Sequence, residues 1–340
     1  MIQLGFVAIG RNEGERLKRC LRSVCGLTPR VVYVDSGSTD GSVEFAKSLD
    51  VEVLPLDTST TFTMARARNA GWRLLIHKWP EVHFIHFIDG DCELIDGWVP
   101  SAREFLDSQP EVAAVCGRRR ERYPEASVYN RLCEAEWNTP PGLAKACGGD
   151  SLIRRTAIEA VGGYNEALIA GEEPEMCLRL RQAGWKIWRL NTDMTLHDAN
   201  ILRWGQWWRR CLRGGYGAAD VAARTAADPA CGGEILFGSQ VTSARQWVGG
   251  GAALLVAALV LVLAGLWWAG LLLVLALAGA LALQAARIAK GALKRCGGWQ
   301  AAAEYGAFTV LAKLPQFLGV WKYEQDARTR RSARMIEYKT

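Results

Sequence analysis

The sequence predicts an α/β domain built on a mainly parallel, doubly wound sheet, followed by a transmembrane helical hairpin and an amphipathic C-terminal helix. Three observations carry that expectation. Apolar, strand-like runs alternate with helix-patterned segments across residues 4–115, at the spacing of βαβ units. Residues 83–92, His-Phe-Ile-His-Phe-Ile-Asp-Gly-Asp-Cys, end such a run in two carboxylates, Asp89 and Asp91. Residues 248–283 contain no charged side chain and consist almost wholly of Ala, Leu, Val, Gly and Trp.

The elements follow in order. Residues 4–9 form a strand-like run, and 15–24 carry helical spacing with Leu17, Leu21 and Val24 on one face. Residues 31–34 are a β-branched strand that ends in Asp35-Ser36-Gly37-Ser38-Thr39-Asp40-Gly41, where Ser38 and Asp40 read as caps of a helix over 42–49. A short strand at 51–54, a helix at 64–76, and strands at 82–88 and 112–115 complete the set. In such a sheet ligands bind outside the carboxyl ends of the strands. Arg11, Asn12 and Glu13 follow the first strand, Asp35 and Ser36 the second, and Asp89 and Asp91 the run at 82–88. Arg68 and Asn69 enter the same edge on a helix. Asp35 suits a base imide or a ribose hydroxyl, and Arg68 suits a pyrophosphate, with a surface salt bridge as its competing role. Two aspartates at i, i+2 repel one another unless a cation or ligand compensates them, and hard divalent cations share such ligands with phosphates. Asp-Gly-Asp alone also occurs in ordinary turns. The dinucleotide Gly-x-Gly-x-x-Gly and the Walker Gly-Lys-Ser/Thr are both absent, which disfavours those phosphate cradles.

Composition narrows the class. A formal charge of +6 over 340 residues does not suggest a nucleic-acid partner. Basic residues gather in 203–224, 287–295 and 328–339, beside the apolar C-terminal region, which favours contact with membrane lipids. The ten cysteines form no Cys-x-x-Cys pair, so neither a zinc site nor a disulfide framework is indicated. The first residues enter a strand without a basic or small-residue signal pattern, so no secretory signal is expected.

The uncharged run is too long for one spanning helix, which needs about 20 residues. It is enough for two if Trp247 and residues 284–289 lengthen the ends, with a turn at 265–270 and its tryptophans at the interface. Arg245 precedes it, and Arg287, Lys290, Lys294 and Arg295 follow, which places both ends in the cytoplasm. Residues 299–323 are apolar but carry Glu304, Lys313 and Pro315, and the tail beyond holds Arg328, Arg330, Arg331, Arg334 and Lys339. An interfacial helix on the cytoplasmic face is expected there. The resulting division is an α/β domain at 1–225, a linker at 226–246, the hairpin at 247–289, and an interfacial helix with a basic tail at 290–340.

The ordered set Ala8-Ile9-Gly10-Arg11-Asn12-Glu13, Val34-Asp35-Ser36-Gly37-Ser38-Thr39-Asp40-Gly41-Ser42, Ala67-Arg68-Asn69-Ala70-Gly71 and Asp89-Gly90-Asp91 resembles a family 2 glycosyltransferase over about residues 1–225. The resemblance implies the GT-A fold, a nucleotide-diphosphate sugar donor, Mg²⁺ or Mn²⁺, and inversion at the anomeric carbon. Residues 148–155 and 161–164 resemble the family's acceptor-side loop, which puts Gly149 and Asp150 near the acceptor. Gly171-Glu172-Glu173-Pro174-Glu175 resembles its Glu-Asp motif, so the base role carries over to Glu173, with Glu172 beside it on the acceptor side; Glu replaces the usual Asp. A carboxylate is the right type, because inversion needs a hydroxyl whose proton is taken as it attacks. By resemblance His197 completes the metal shell with Asp91 and Asp89, a structural histidine being the competing role. Residues 203–213 mix tryptophan and arginine at helical spacing, which suits a membrane interface, and 206–210 only partly resemble the Gln-x-x-Arg-Trp signature of processive synthases.

The expected protein is an inner-membrane glycosyltransferase whose catalytic domain faces the cytoplasm. It would move sugar from an NDP-sugar, a UDP-sugar being the expected donor, to a lipid-linked or glycan acceptor in cell-surface or exopolysaccharide synthesis. Other polysaccharide-assembly proteins are candidate partners. The alternatives are a polyprenyl-phosphate glycosyltransferase, a membrane-anchored nucleotidyltransferase and a non-catalytic nucleotide-sugar-binding scaffold.

Overall fold

The structure is a computed structural model that describes residues 3–329. The basic tail residues Arg330, Arg331, Arg334 and Lys339 lie outside the described residues. Nine strands form one sheet: β1 (Leu4–Gly10), β2 (Val31–Asp35), β3 (Glu52–Pro55), β4 (Phe84–Asp89), β5 (Cys92–Leu94), β6 (Val112–Glu121), β7 (Gly142–Ala144), β8 (Ser151–Arg154) and β9 (Lys186–His197). Their order is β3-β2-β1-β4-β8-β6-β9-β5, with β7 paired to β9. The first four are parallel, as the βαβ spacing predicts, and β1, β2 and β4 are buried on both faces. Beyond β4 the sheet becomes mixed, because β8 inserts antiparallel between β4 and β6.

Helices α1 (Glu15–Cys25), α2 (Ser42–Ser48), α3 (Met64–Lys78) and α4 (Trp98–Ser108) connect the early strands, and α1 buries Leu17, Cys20, Leu21 and Val24. Thr63 Oγ1 caps α3 by accepting from the Arg66 amide at 3.1 Å. Gly71 lets α3 lie flat on the sheet, since a Cβ there would collide with Val7 and Val34. That close approach carries Arg68, one turn earlier, to the sheet edge. Helices α5 (Val128–Trp137), α6 (Arg155–Ala160) and α7 (Glu172–Gln182) complete the domain.

The Asp-Gly-Asp segment reverses the chain, so β5 runs antiparallel to β9 with Cys92 opposite His197. The Asp198 amide donates to Asp91 O at 3.0 Å and closes that register. Asp91 is thereby brought beside His197.

The C-terminal part consists of α8 (Trp204–Ala227), α9 (Gly238–Leu263), α10 (Trp267–Cys296), α11 (Trp299–Leu311) and α12 (Lys313–Arg328). Helices α9 and α10 are long and apolar enough to cross a membrane, and only 6% of either apolar window is buried. A core helix of a soluble domain would be mostly buried; this pair presents its leucines and valines outward. The pair extends past the expected hairpin at both ends, and α9 starts inside the stretch read as a linker. Gly265, at φ +82°, makes the turn, and Trp267 and Trp268 stand exposed beside it.

The single interfacial helix expected over 299–323 is two helices. They break at Ala312, and Pro315 falls in the first turn of α12, where its missing N–H costs nothing. The Trp/Arg segment starts α8, which is not a free interfacial helix. It packs closely on α12, where a Cβ on Gly215 would meet Gln316 O and one on Gly319 would meet Leu212 O.

Replacing Gly319 with Val should therefore part the two helices and lower stability by about 1–3 kcal/mol. Gly249→Ala, at a site with no atom within 4 Å of the new methyl, should leave it unchanged. Thermal unfolding of the detergent-solubilised protein compares the two.

Candidate active site

The loops after β1 and β2 meet at the carboxyl edge of the sheet. Asn12, at φ +53°, donates its amide to Ser38 Oγ at 2.9 Å and accepts the Thr39 amide on Oδ1 at 2.8 Å. Asp40 accepts from the Gly14 amide at 2.8 Å and the Ser42 amide at 3.1 Å. Ser38 and Asp40 thus tie the two loops together; Gly41 stands at the N-cap of α2, so neither side chain is the cap expected of it, although Asp40 does accept the amide of Ser42, the first residue of that helix. Asn12 is part of this clasp; its amide oxygen is engaged with backbone rather than held out for a nucleotide.

Asp35 is 4% exposed. It accepts from Tyr33 OH at 2.9 Å and from the Gly37 and Ser38 amides at 3.0 and 2.9 Å. Ser36 donates its amide to Gly10 O at 3.1 Å. Arg11 lies over the Phe62 ring at 4.9 Å, and Glu13 pairs with Arg16 at 2.9 Å.

Arg68 departs from its expected role. Its side chain is 1% exposed and sits among carboxylates. Nη1 donates to Glu172 Oε1 at 2.7 Å, Nη2 to Asp89 Oδ1 at 2.7 Å, and Nη2 lies 3.5 Å from Glu173 Oε1. A guanidinium this deep ties the end of β4 to the start of α7 and does not reach a pyrophosphate directly. Arg119 repeats the arrangement on the other side, with Nη2 at 3.1 Å from Asp89 Oδ2 and 2.8 Å from Asp150 Oδ2.

Both oxygens of Asp89 therefore accept from arginines, which hold its acidity far stronger than that of an ordinary carboxyl despite its burial. Each of these oxygens keeps a second lone pair, and Asp89 with Cys92 and Asp150 forms another group whose ligand atoms lie within 4.8 Å of one another. Asp150 and Glu172, which the resemblance puts on the acceptor side, are buried among these groups. Asp150 is 1% exposed and accepts from the Asp89 amide and Thr195 Oγ1; Glu172 is 1% exposed on Arg68.

Glu173 does keep an opening, with 15% of its side chain exposed. Burial, and then the neighbouring charge of Glu172, push its pKa up to about 8, against the pull of Arg68. Gly149 lies where these groups converge. A Cβ there would stand 2.7 Å from Arg68 Nη2, 2.8 Å from Asp89 Oδ2 and 3.1 Å from Glu173 Oε1. Only glycine leaves that junction its shape.

Asp91 and His197 come together as the sequence predicts. Asp91 Oδ2 is 3.2 Å from His197 Nε2, and both residues are 6% exposed. With Cys92 they can bring three ligand atoms within 4.8 Å of one another. Glu121 Oε2 lies 3.2 Å from His197 Nδ1, so the imidazole is oriented from behind by a carboxylate. Burial, assisted by Arg119, lowers the His197 pKa and favours the neutral ring that a metal requires. Carboxylate plus neutral imidazole suits a borderline divalent cation such as Mn²⁺, so the donor set fits the metal that the sequence implies.

Sequence reasoning missed Glu121 and Arg119. Their one signal was the charged run 118–121 at the end of a strand read as stopping at 115; β6 in fact continues and pairs Glu121 with His197.

Residues 7–161 match the family model described as Glycosyl transferase family 2. The match covers just under half of the chain, whose N-terminal part is thus similar to that family. Among curated relatives of this chain is the succinoglycan biosynthesis protein ExoA of Rhizobium meliloti, 29% identical over 51% of this chain and 54% of that one. The O-antigen chain rhamnosyltransferase RfbN of Salmonella typhimurium is 26% identical over 50% and 57%. The pre-mycofactocin glycosyltransferase of Mycobacterium tuberculosis is 29% identical over 63% and 46%. The matches thus span about half the length of these relatives. In fold, this chain is similar to a mannosyltransferase from Pyrobaculum calidifontis solved with GDP-Man and Mn²⁺, with a TM-score of 0.59 and 16% identity over 95% of this chain and 87% of that one. The architecture is GT-A, followed by the two long apolar helices and the packed C-terminal helices.

Removing Arg68 should be costly to folding. Arg68→Met leaves three buried or half-buried acids without their shared cation, and the expected loss is about 3–5 kcal/mol. Chemical denaturation of the full chain measures it.

Proposed function

We propose that this protein is an inverting, metal-dependent glycosyltransferase that moves a sugar from a nucleotide-diphosphate sugar to an acceptor presented at a membrane. The observation that supports it best is the pairing of two separate stations. Asp91 and His197 make a candidate cation site at the sheet edge, and Glu173 opens toward the crevice from the start of α7 with a raised pKa.

In this reading Asp91 and His197 hold the cation, and Glu121 fixes the tautomer of His197. The bound cation supplies Lewis-acid stabilisation to the departing diphosphate. Glu173 takes the proton of the acceptor hydroxyl as that oxygen bonds to the anomeric carbon and the bond to the diphosphate breaks on the opposite face. Arg68 and Arg119 hold Asp89 in place behind the donor; the loops from Arg11 to Glu13 and at Asp35 and Ser36 bound the nucleotide. A UDP-sugar is the first donor to test and a GDP-sugar the second, since the mannosyltransferase of like fold was solved with GDP-Man.

The acceptor is read as a lipid-linked glycan. The hairpin sets the catalytic domain beside the bilayer, and Lys290, Lys294 and Arg295 end α10 on the same side. An inner-membrane location with the domain in the cytoplasm follows from that charge bias. Two of the relatives are a succinoglycan biosynthesis protein and an O-antigen chain rhamnosyltransferase, which supports a place in cell-surface polysaccharide assembly.

The base assignment gives a pH signature. Activity needs Glu173 ionised, so it should rise with pH through a limb near 8, well above an ordinary glutamate. Glu173→Gln should abolish the limb and lower kcat by about 10²–10⁴-fold. Retention of the limb in that variant would move the base elsewhere. A separate test addresses the metal: Glu121→Ala should weaken Mn²⁺ binding by about 10–100-fold in a direct titration. Unchanged affinity would place the cation away from His197.

A further inference from the structure

A cavity of about 460 Å³ lies between the catalytic domain and helices α8, α11 and α12. It is outside the cation site and the nucleotide loops. Its walls are of two kinds. Trp207, Tyr305 and Phe308 give an aromatic, apolar side, with the Trp207 and Phe308 rings 5.3 Å apart and edge to face. Arg210 and Arg213, one turn apart on α8, give a cationic side.

Arg210 is held by Glu136 on α5, which also lines the cavity and accepts from both of its terminal nitrogens, at 3.4 and 2.7 Å, and Arg213 reaches Met64 Sδ at 3.5 Å. Gln316 Oε1, also on the wall, is buried with no partner, an acceptor placed to receive a hydroxyl.

Position links the cavity to both the bilayer and the chemistry. Gln240, near the start of α9, lines it where that helix leaves the catalytic domain. Met64 opens the helix that carries Arg68, and Ala170 directly precedes the N-cap of the helix that carries Glu173.

We propose that this cavity binds the acceptor lipid, seating an apolar chain against Trp207, Tyr305 and Phe308 and its phosphate or diphosphate against Arg210 and Arg213. The inference rests on the transferase reading and adds to it the acceptor's chemical class and its seat. The occupant is an anionic lipid because neither half of the wall serves the other ligands. A free sugar or water would not need the aromatic side, and an uncharged lipid would not need two arginines held on one face. Guanidiniums recognise phosphate oxygens bidentately, while the aromatic rings take up chain surface without polar cost. The volume falls in the range of small-molecule sites.

Photolabelling tests the assignment on the full chain in nanodiscs, with farnesyl diphosphate carrying a diazirine in its chain. Labelled peptides should come from α8 and α11, and unlabelled farnesyl diphosphate should compete. Arg213→Gln should cut labelling about tenfold, the loss of one charge-assisted contact. Thr309→Trp, which fills the cavity, should cut it further, and nucleotide binding in both variants certifies the fold. Labelling confined to the outward faces of α9 and α10, or indifferent to both substitutions, would overturn the proposal. Competition by farnesol as strong as by farnesyl diphosphate would also overturn it, because the arginines would then be idle. Equal competition by inorganic pyrophosphate would do the same by placing the probe in the donor site. Glu173→Gln should label normally. Turnover that survives in that variant while labelling holds would sink the base assignment and leave the cavity standing.

Discussion

The arrangement of the site depends on one buried cation. Arg68 has almost no exposure, yet three carboxylates from two separate elements close around it: Asp89 at the end of β4, and Glu172 and Glu173 at the start of α7. Burying a guanidinium is unfavourable unless its partners are close and well oriented, and here two of them sit at 2.7 Å. The result is a division among like side chains. Asp89 and Glu172 are matched to Arg68 at short range, whereas Glu173 is farther away and keeps a high proton affinity. Gly71 and Gly149 serve the same constraint, one by letting α3 reach the edge and the other by leaving room where the groups converge.

The second constraint is strand register. The reversal at Asp-Gly-Asp sets Cys92 opposite His197, and the long β6 sets Glu121 opposite the same histidine. A shift of one residue would turn His197 to the other face of the sheet and dismantle the Asp91–His197–Glu121 line. The candidate cation site is therefore a property of how β5, β6 and β9 align, and the raised pKa of Glu173 is a property of how α3 meets α7. The two are held by different parts of the fold.

Much of this was legible in local pattern. The parallel half of the sheet, the apolar hairpin, and the placement of Asp91, His197 and Glu173 follow from periodicity, spacing and motif resemblance. What stayed hidden depends on contacts between distant segments. Arg68 is a long side chain whose head can point to solvent or inward, and only the fold brings Asp89 and Glu172 around it. Asp150 belongs to a segment that resembles an acceptor-side loop, and only the fold shows it buried against Arg119, just before β8. Glu121 lies in a charged run that reads as surface until β6 is seen to continue. The Gly215–Gly319 contact between α8 and α12 joins residues a hundred positions apart, beyond any pattern in either helix alone.

We propose that Asp91 and His197 hold the cation while Asp89 stays with the arginines. Anomalous diffraction from crystals grown with Mn²⁺ and a nucleoside diphosphate tests it most directly. The predicted result is a single manganese peak within bonding distance of Asp91 and His197, with Asp89 still bound to Arg68 and Arg119. A peak on Asp89 with Arg68 displaced, and none at His197, would contradict it.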